Sequence, residues 1–143
     1  MHRLKMRPVD IHSTVDLAFL YGVLSRRLGE PKTNISHQRL PGYDEHCIFV
    51  QTRPYAAHYI VEDHRLFIGA VYLTHDREVG IWVAPECRGE GVGGWALKTL
   101  MKLHPRDQWL ANINLENEAS KKFFMKHGFR LSTSTPEQET YEQ

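Results

Sequence analysis

Only two cysteines, Cys47 and Cys87, occur among the 143 residues, and no paired spacing links them. That argues against a disulfide framework or a cysteine-rich zinc site. Long apolar runs are missing too: nothing approaches the roughly 20 residues needed to span a bilayer. The polar, basic stretch from Met1 to Asp10 has no apolar signal core. These absences point to a cytoplasmic protein without a membrane partner. Charge of one sign is also lacking, since 18 Lys and Arg stand against 17 Asp and Glu, a net +1. Nothing therefore advertises nucleic acid or an acidic lipid surface, although local charge can still suit a small polyanion. Nine histidines are scattered without a metal-ligand spacing, so no metal is expected. No repeat, linker or low-complexity segment divides the chain.

What is present suits one domain over residues 1–143, with 41% hydrophobic content to build a core. Leu4 to Pro8 reads as a short strand ended by its proline. Ser13 or Thr14 can cap a helix through about Leu28, with Val15, Leu17, Ala18, Leu20, Tyr21 and Leu24 on its apolar face and Gly29 and Pro31 stopping it. Residues 32–46 are polar and carry no clear pattern, and a second short helix is expected around Tyr43 to Gln51. From Ala57 the period changes to two. His58 to Glu62 and Leu66 to Leu73 flank a hairpin turn at Asp63-His64-Arg65, and Glu78 to Val83 completes an antiparallel meander. A helix from Val92 to about Leu103 follows, with Trp95, Leu97, Leu100 and Met101 inward. Then come a strand at Trp109 to Ile113, a helix from about Asn117 to His127 closed by Gly128, and a hairpin over Phe129 to Ser134 and Glu137 to Tyr141. The fold class is α/β in the α+β sense.

The most informative stretch is Val83-Ala84-Pro85-Glu86-Cys87-Arg88-Gly89-Glu90-Gly91-Val92-Gly93-Gly94, lying between an expected strand and an expected helix. A helix start has unpaired amides and partial positive charge. The glycines let that backbone approach an anion closely, and Arg88 adds a charged donor. A bare flexible turn is the alternative reading. The loop has no Gly-Lys-Ser/Thr ending, which excludes a nucleoside triphosphatase loop. A dinucleotide fold would place the glycines after the first strand, with an acidic residue about 20 positions on. Here the glycines fall past the middle of the chain, and Asn112-Ile113-Asn114 lies at that distance.

Arg88-Gly89-Glu90-Gly91-Val92-Gly93 resembles the acyl-CoA signature of the GNAT superfamily of N-acyltransferases, Arg/Gln-x-x-Gly-x-Gly/Ala, extended upstream by Val83 and Pro85. Asn117 through Phe129, with Ala119-Ser120, Phe124 and Gly128-Phe129, is similar to that family's second motif. The resemblance implies a GNAT-like mixed, mainly antiparallel sheet of six to seven strands flanked by about four helices. It also implies acetyl-CoA as acyl donor, without a metal, and a primary amine as acceptor.

By the same resemblance, the backbone of Arg88, Gly89, Glu90, Gly91, Val92, Gly93 and Gly94 would hold a pyrophosphate. The strand bearing Ile81, Trp82 and Val83 would pair with the pantetheine arm, and an N–H near Val83 would polarise the thioester carbonyl. Asn117 would bond the arm's far end, although a plain helix N-cap accounts for it as well. Phe124 stands where many members carry a tyrosine that protonates the leaving thiolate, so no general acid is assigned. Glu78 is the first choice of base, with Asn114, His58 and His75 behind it. A solvated strand-end residue beside Arg77 is the plainer reading of Glu78. Tyr55, Tyr59, Tyr72, Trp82 and Trp109 either line an acceptor pocket or fill the core.

The expected activity is N-acetylation of a small molecule or nucleotide-sugar amine by a monomer or homodimer. Two alternatives are a protein or aminoacyl-tRNA N-acetyltransferase and a non-catalytic CoA-binding domain of the same fold.

Overall fold

The computed structural model describes residues 2–30 and 39–143. Seven strands and four α-helices alternate in the expected order: β1 (Leu4–Pro8), α1 (Thr14–Leu28), α2 (Tyr43–Gln51), β2 (Ala57–Asp63), β3 (Leu66–Leu73), β4 (Val79–Val83), α3 (Val92–Leu103), β5 (Leu110–Asn114), α4 (Glu118–Lys126), β6 (Arg130–Ser134) and β7 (Gln138–Glu142). A short 3₁₀ turn, Pro85–Cys87, precedes the glycines. Of the patternless segment 32–46, the part up to residue 38 lies outside the described residues.

The strands form two sheets. One has the order β1-β2-β3-β4 and the other β5-β7-β6, and every pairing within them is antiparallel. Among the described residues one parallel bridge, Glu78 to Leu110, joins them, closed by the Leu110 N–H donating to the Arg77 carbonyl at 2.8 Å. β4 and β5 touch at one end and diverge from there, which separates the two sheets. The hairpin between β2 and β3 turns through His64 (φ 49°) and Arg65 (φ 73°), both left-handed, as a two-residue hairpin turn demands.

Helices cover both faces of the first sheet. On one, α3 inserts Val92, Ala96, Leu97 and Leu100 into a core shared with Val71, Leu73, Trp109, Ala111 and the fully buried Phe129. Each Val or Leu among them removed from water contributes about 2 kcal/mol. Trp95 and Met101, expected inward, are only half-buried.

On the other face α1 packs Leu17 and Leu20 against Ile60 and Ala70. Its apolar stripe is rotated from the expected one: Val15 is 63% exposed and Ala18 lies outside, whereas Asp16 is buried. Arg7 on β1 explains this, since its guanidinium grips both Asp16 oxygens at 2.9 and 2.8 Å. That pairing, with the Asp10 N–H donating to the same carboxylate, holds Asp16 well below the usual carboxylate range. Ser13 caps the helix by accepting the Asp16 N–H. Covering both faces also explains why β4 buries Val79 and Trp82 in place of a strict alternation.

Candidate active site

Divergence of β4 from β5 opens a groove of about 800 Å³ that ends at the start of α3. Beyond the bridge at Glu78, the edge of β4 turned away from β3 has no strand partner among the described residues. At the groove's end Gly91 sits at the N-cap of α3 with φ 86°, no side chain caps the helix, and no acidic residue occupies its first turn. Its leading amides therefore face the groove with their partial positive charge uncompensated.

The glycines serve two separate needs. Gly89 (φ 80°) and Gly91 are required by the left-handed turn, and the space beside them is open. Gly93 and Gly94 are closely packed: a Cβ on Gly93 would stand 3.3 Å from the Phe123 ring and one on Gly94 3.1 Å from His127, so each ring would have to give way by a few tenths of an ångström. Burial, then the neighbouring Lys98 and Lys126, lowers the His127 pKa.

Most expected cofactor residues line this groove: Ile81, Trp82, Val83, Arg88, Gly89, Gly91, Val92, Gly93, Gly94, Asn117 and Phe124. Glu90 does not, because its carboxylate turns away to meet His2 Nε2 at 2.8 Å. Arg88 is not a loose charge at the mouth. Its Nε donates to the Val83 carbonyl at 2.8 Å and its terminal nitrogen pairs with Glu30 at 3.0 Å, tying the loop to β4 and to the segment after α1. Asn117 caps α4 by accepting the Ser120 N–H at 3.1 Å. Phe124 is buried against Phe123 and Phe129 and offers no proton.

Glu78 lies half-buried at the groove wall, and its charge acts on Tyr72 and Tyr55. Asn114 also lines the groove, with its Oδ1 accepting the Glu116 N–H at 2.9 Å. His75 is an exposed turn residue. Trp109 is core, and Tyr59 bonds His104 at 2.6 Å.

A second cavity of about 390 Å³ opens beside the groove, between α1 and α2 above and β2, β3 and β4 below. Tyr55 and Tyr72 stack along its wall at 4.2 Å, and His58 meets Tyr55 edge-on. Tyr72 lies over Gly80, where any Cβ would overlap its ring. Burial first, then the neighbouring Tyr72 hydroxyl, pushes the Tyr55 pKa up to about 12, and burial pushes that of Tyr72 up too. Burial lowers the His58 pKa to about 4, so its ring is neutral. The two cavities share Arg27, Tyr72, Gly80, Ile81 and Trp82 as a common wall.

Arg27 and His46 escaped the sequence reading. Both sit on polar helix positions that carry no motif, and only the packing of α1 and α2 over the sheet turns them inward.

A model of the acetyltransferase (GNAT) domain matches residues 54–131, more than half of the chain. The chain belongs to the GNAT acetyltransferase family. The match contains the glycine loop and all of the described groove lining except Arg27, but stops short of α1 and α2, which roof the second cavity. Over 66 residues the domain is 35% identical to YwnH of Bacillus subtilis, named as a proposed phosphinothricin acetyltransferase. That stretch covers 44% of this chain and only 40% of YwnH.

Among solved structures, a domain from Methanocaldococcus jannaschii superposes with a TM-score of 0.83 at 19% identity, covering 100% of this chain and 99% of its own. YncA of Salmonella typhimurium, a proposed acetyltransferase solved with acetyl-CoA, reaches 0.75 at 15% identity, covering 98% and 91%. At those identities the likeness extends to the GNAT fold alone. No helix among the described residues is long and apolar enough to cross a membrane.

Proposed function

We propose that this GNAT domain transfers an acetyl group from acetyl-CoA to the primary amine of a small molecule. The observation that carries the reading is the meeting of two cavities along Tyr72-to-Trp82: a long groove suited to an extended anionic donor, and a compact, aromatic-walled cavity suited to an acceptor.

The residues fit the donor. The uncapped start of α3 and the glycine turn suit a pyrophosphate, Arg88 stiffens that turn, and the unpaired β4 edge suits an amide-bearing arm. The Asn117 side-chain NH₂ is left to bond the arm, because its oxygen is engaged as the cap. Acetyl-CoA supplies an acyl group activated as a thioester. Transfer forms an amide C–N bond and breaks the C–S bond. Glu78 takes the proton that the amine loses, directly or through a water, and solvent supplies the proton for the departing sulfur, since Phe124 has none. Asn114 on the facing wall orients the amine. A backbone N–H near Val83 polarises the carbonyl. The two free thiols accord with action in the cytoplasm.

Calorimetric titration with acetyl-CoA, followed by free-thiol release against a panel of amines, tests the reading. Binding with amine-dependent release is expected. Binding without release from any amine would point to a non-catalytic CoA-binding domain, and no binding would remove the donor site.

A further inference from the structure

Arg27, Tyr72, Gly80, Ile81 and Trp82 line both cavities, so an acceptor reaching from the second cavity into the groove brings its amine against them. Among these five, Tyr72 has the one side chain able to accept a hydrogen bond. Arg27 and Trp82 only donate, and Gly80 and Ile81 offer backbone alone. The fold also fixes where that side chain stands. Tyr72 on β3 is the register partner of Gly80 on β4, and its ring and hydroxyl lie over that glycine. Tyr55 stacks on the ring at 4.2 Å, within 17° of parallel.

The neighbours define what the hydroxyl can do. Arg27 from α1 donates to it, and the Glu78 carboxylate ahead of β4 acts on it through its charge. The neutral His58 ring on β2 meets the Tyr72 ring edge-on at 6.2 Å. Burial raises the Tyr72 pKa, so the group stays a neutral hydroxyl. Its oxygen has two lone pairs, and Arg27 engages one of them.

A neutral primary amine carries one lone pair and two N–H groups. Attack on a carbonyl commits the lone pair, which turns both N–H groups towards the walls of the site. Glu78 answers one, as the proton that leaves.

Building on the transferase reading, we propose that Tyr72 selects the nucleophile, its hydroxyl oxygen accepting the second N–H of a primary amine. The C–N bond forms as the C–S bond breaks, Glu78 receives one amine proton, the other stays on the amide nitrogen, and Tyr72 keeps its own proton throughout. A secondary amine has no second N–H to offer. Its alkyl group would press on the hydroxyl and leave that lone pair unanswered, so the site rejects it.

Thiol release from acetyl-CoA is to be compared for matched pairs: isoamylamine against N-methylisoamylamine, and tyramine against N-methyltyramine. The parent protein should favour the primary member in kcat/KM by about tenfold or more. Tyr72→Phe keeps the ring over Gly80 and the stack on Tyr55, and it should bring the primary-to-secondary ratio close to one while calorimetry shows unchanged acetyl-CoA affinity. Comparing the ratio between the two proteins cancels the intrinsic reactivity of each amine.

Equal turnover of the N-methyl amines by the parent protein would overturn the proposal without any variant. A ratio that survives Tyr72→Phe would place the selection elsewhere, and a matching loss of acetyl-CoA affinity would reduce Tyr72 to a wall of the groove. Absence of acetyl-CoA binding, or of thiol release from every amine, would instead strike the underlying transferase reading.

Discussion

A carboxylate and a guanidinium carry most of the testable chemistry at the scale of single residues. Glu78 lies where β4 and β5 separate, on the groove wall, and it acts electrostatically on Tyr72. Glu78→Gln should lower kcat by about 100-fold while acetyl-CoA affinity holds. Steady-state kinetics paired with calorimetry checks this, and full activity would remove Glu78 as the base. Arg88 has a different part from the one its motif suggests. Because it anchors the loop to Val83 and Glu30, its loss should loosen the turn as well as remove charge. Arg88→Ala should weaken acetyl-CoA by about tenfold. Arg88→Lys should recover little of it, since a lysine cannot span the two anchors as a planar fork does. Equal affinities for Arg88→Lys and the parent would show that charge alone matters.

Among the elements, the β2–β3 hairpin carries avoidable strain. His64 and Arg65 both hold positive φ without being glycine. Arg65→Gly should stabilise the fold by about 1 kcal/mol, read as a melting temperature roughly 3 °C higher. A lower melting temperature would mean that the Arg65 side chain makes contacts outweighing the strain. Strand β4 holds a tighter constraint, since Gly80 exists to admit the Tyr72 ring. Gly80→Ala must displace that ring and with it the Tyr55 stack, at about 1–3 kcal/mol of stability. On the proposed reading, the expected signature is a rise in acceptor KM that exceeds the loss in acetyl-CoA affinity, because the displaced ring stacks on Tyr55 in the second cavity.

Stability against acid belongs to the whole molecule. His58 is neutral when folded, with its pKa lowered from 6.5 to about 4, so between those values the unfolded chain binds more protons. Stability is fully present above pH 6.5 and falls as pH drops towards 4, by up to about 3 kcal/mol from this group. His46, lowered by the same burial, adds to the slope with the same sign, and Asp16 extends the loss below its own unfolded value. Urea unfolding from pH 7 to 4 should show the decline, and His58→Phe should flatten it. An unchanged slope would place the acid sensitivity elsewhere.

The sequence by itself determined the order of the elements, the family and the place of the glycine loop. These rest on local physics: the period of apolar residues, Gly91 and Gly128 at helix ends, Ser13 as a cap, and a turn whose glycines lie within six residues of one another. Tertiary structure alone decided which side chains meet. Asp16 is buried because Arg7 reaches it from β1, and the two sheets separate where β4 leaves β5 beyond the Glu78–Leu110 bridge. Glu90 leaves the groove for His2. The second cavity joins α1, α2 and three strands that lie far apart in sequence, so Arg27, His46 and Trp82 come to line it only when helices are laid across the sheet. Local periodicity tells which way a residue faces its own element, whereas a site depends on what the neighbouring elements bring opposite it.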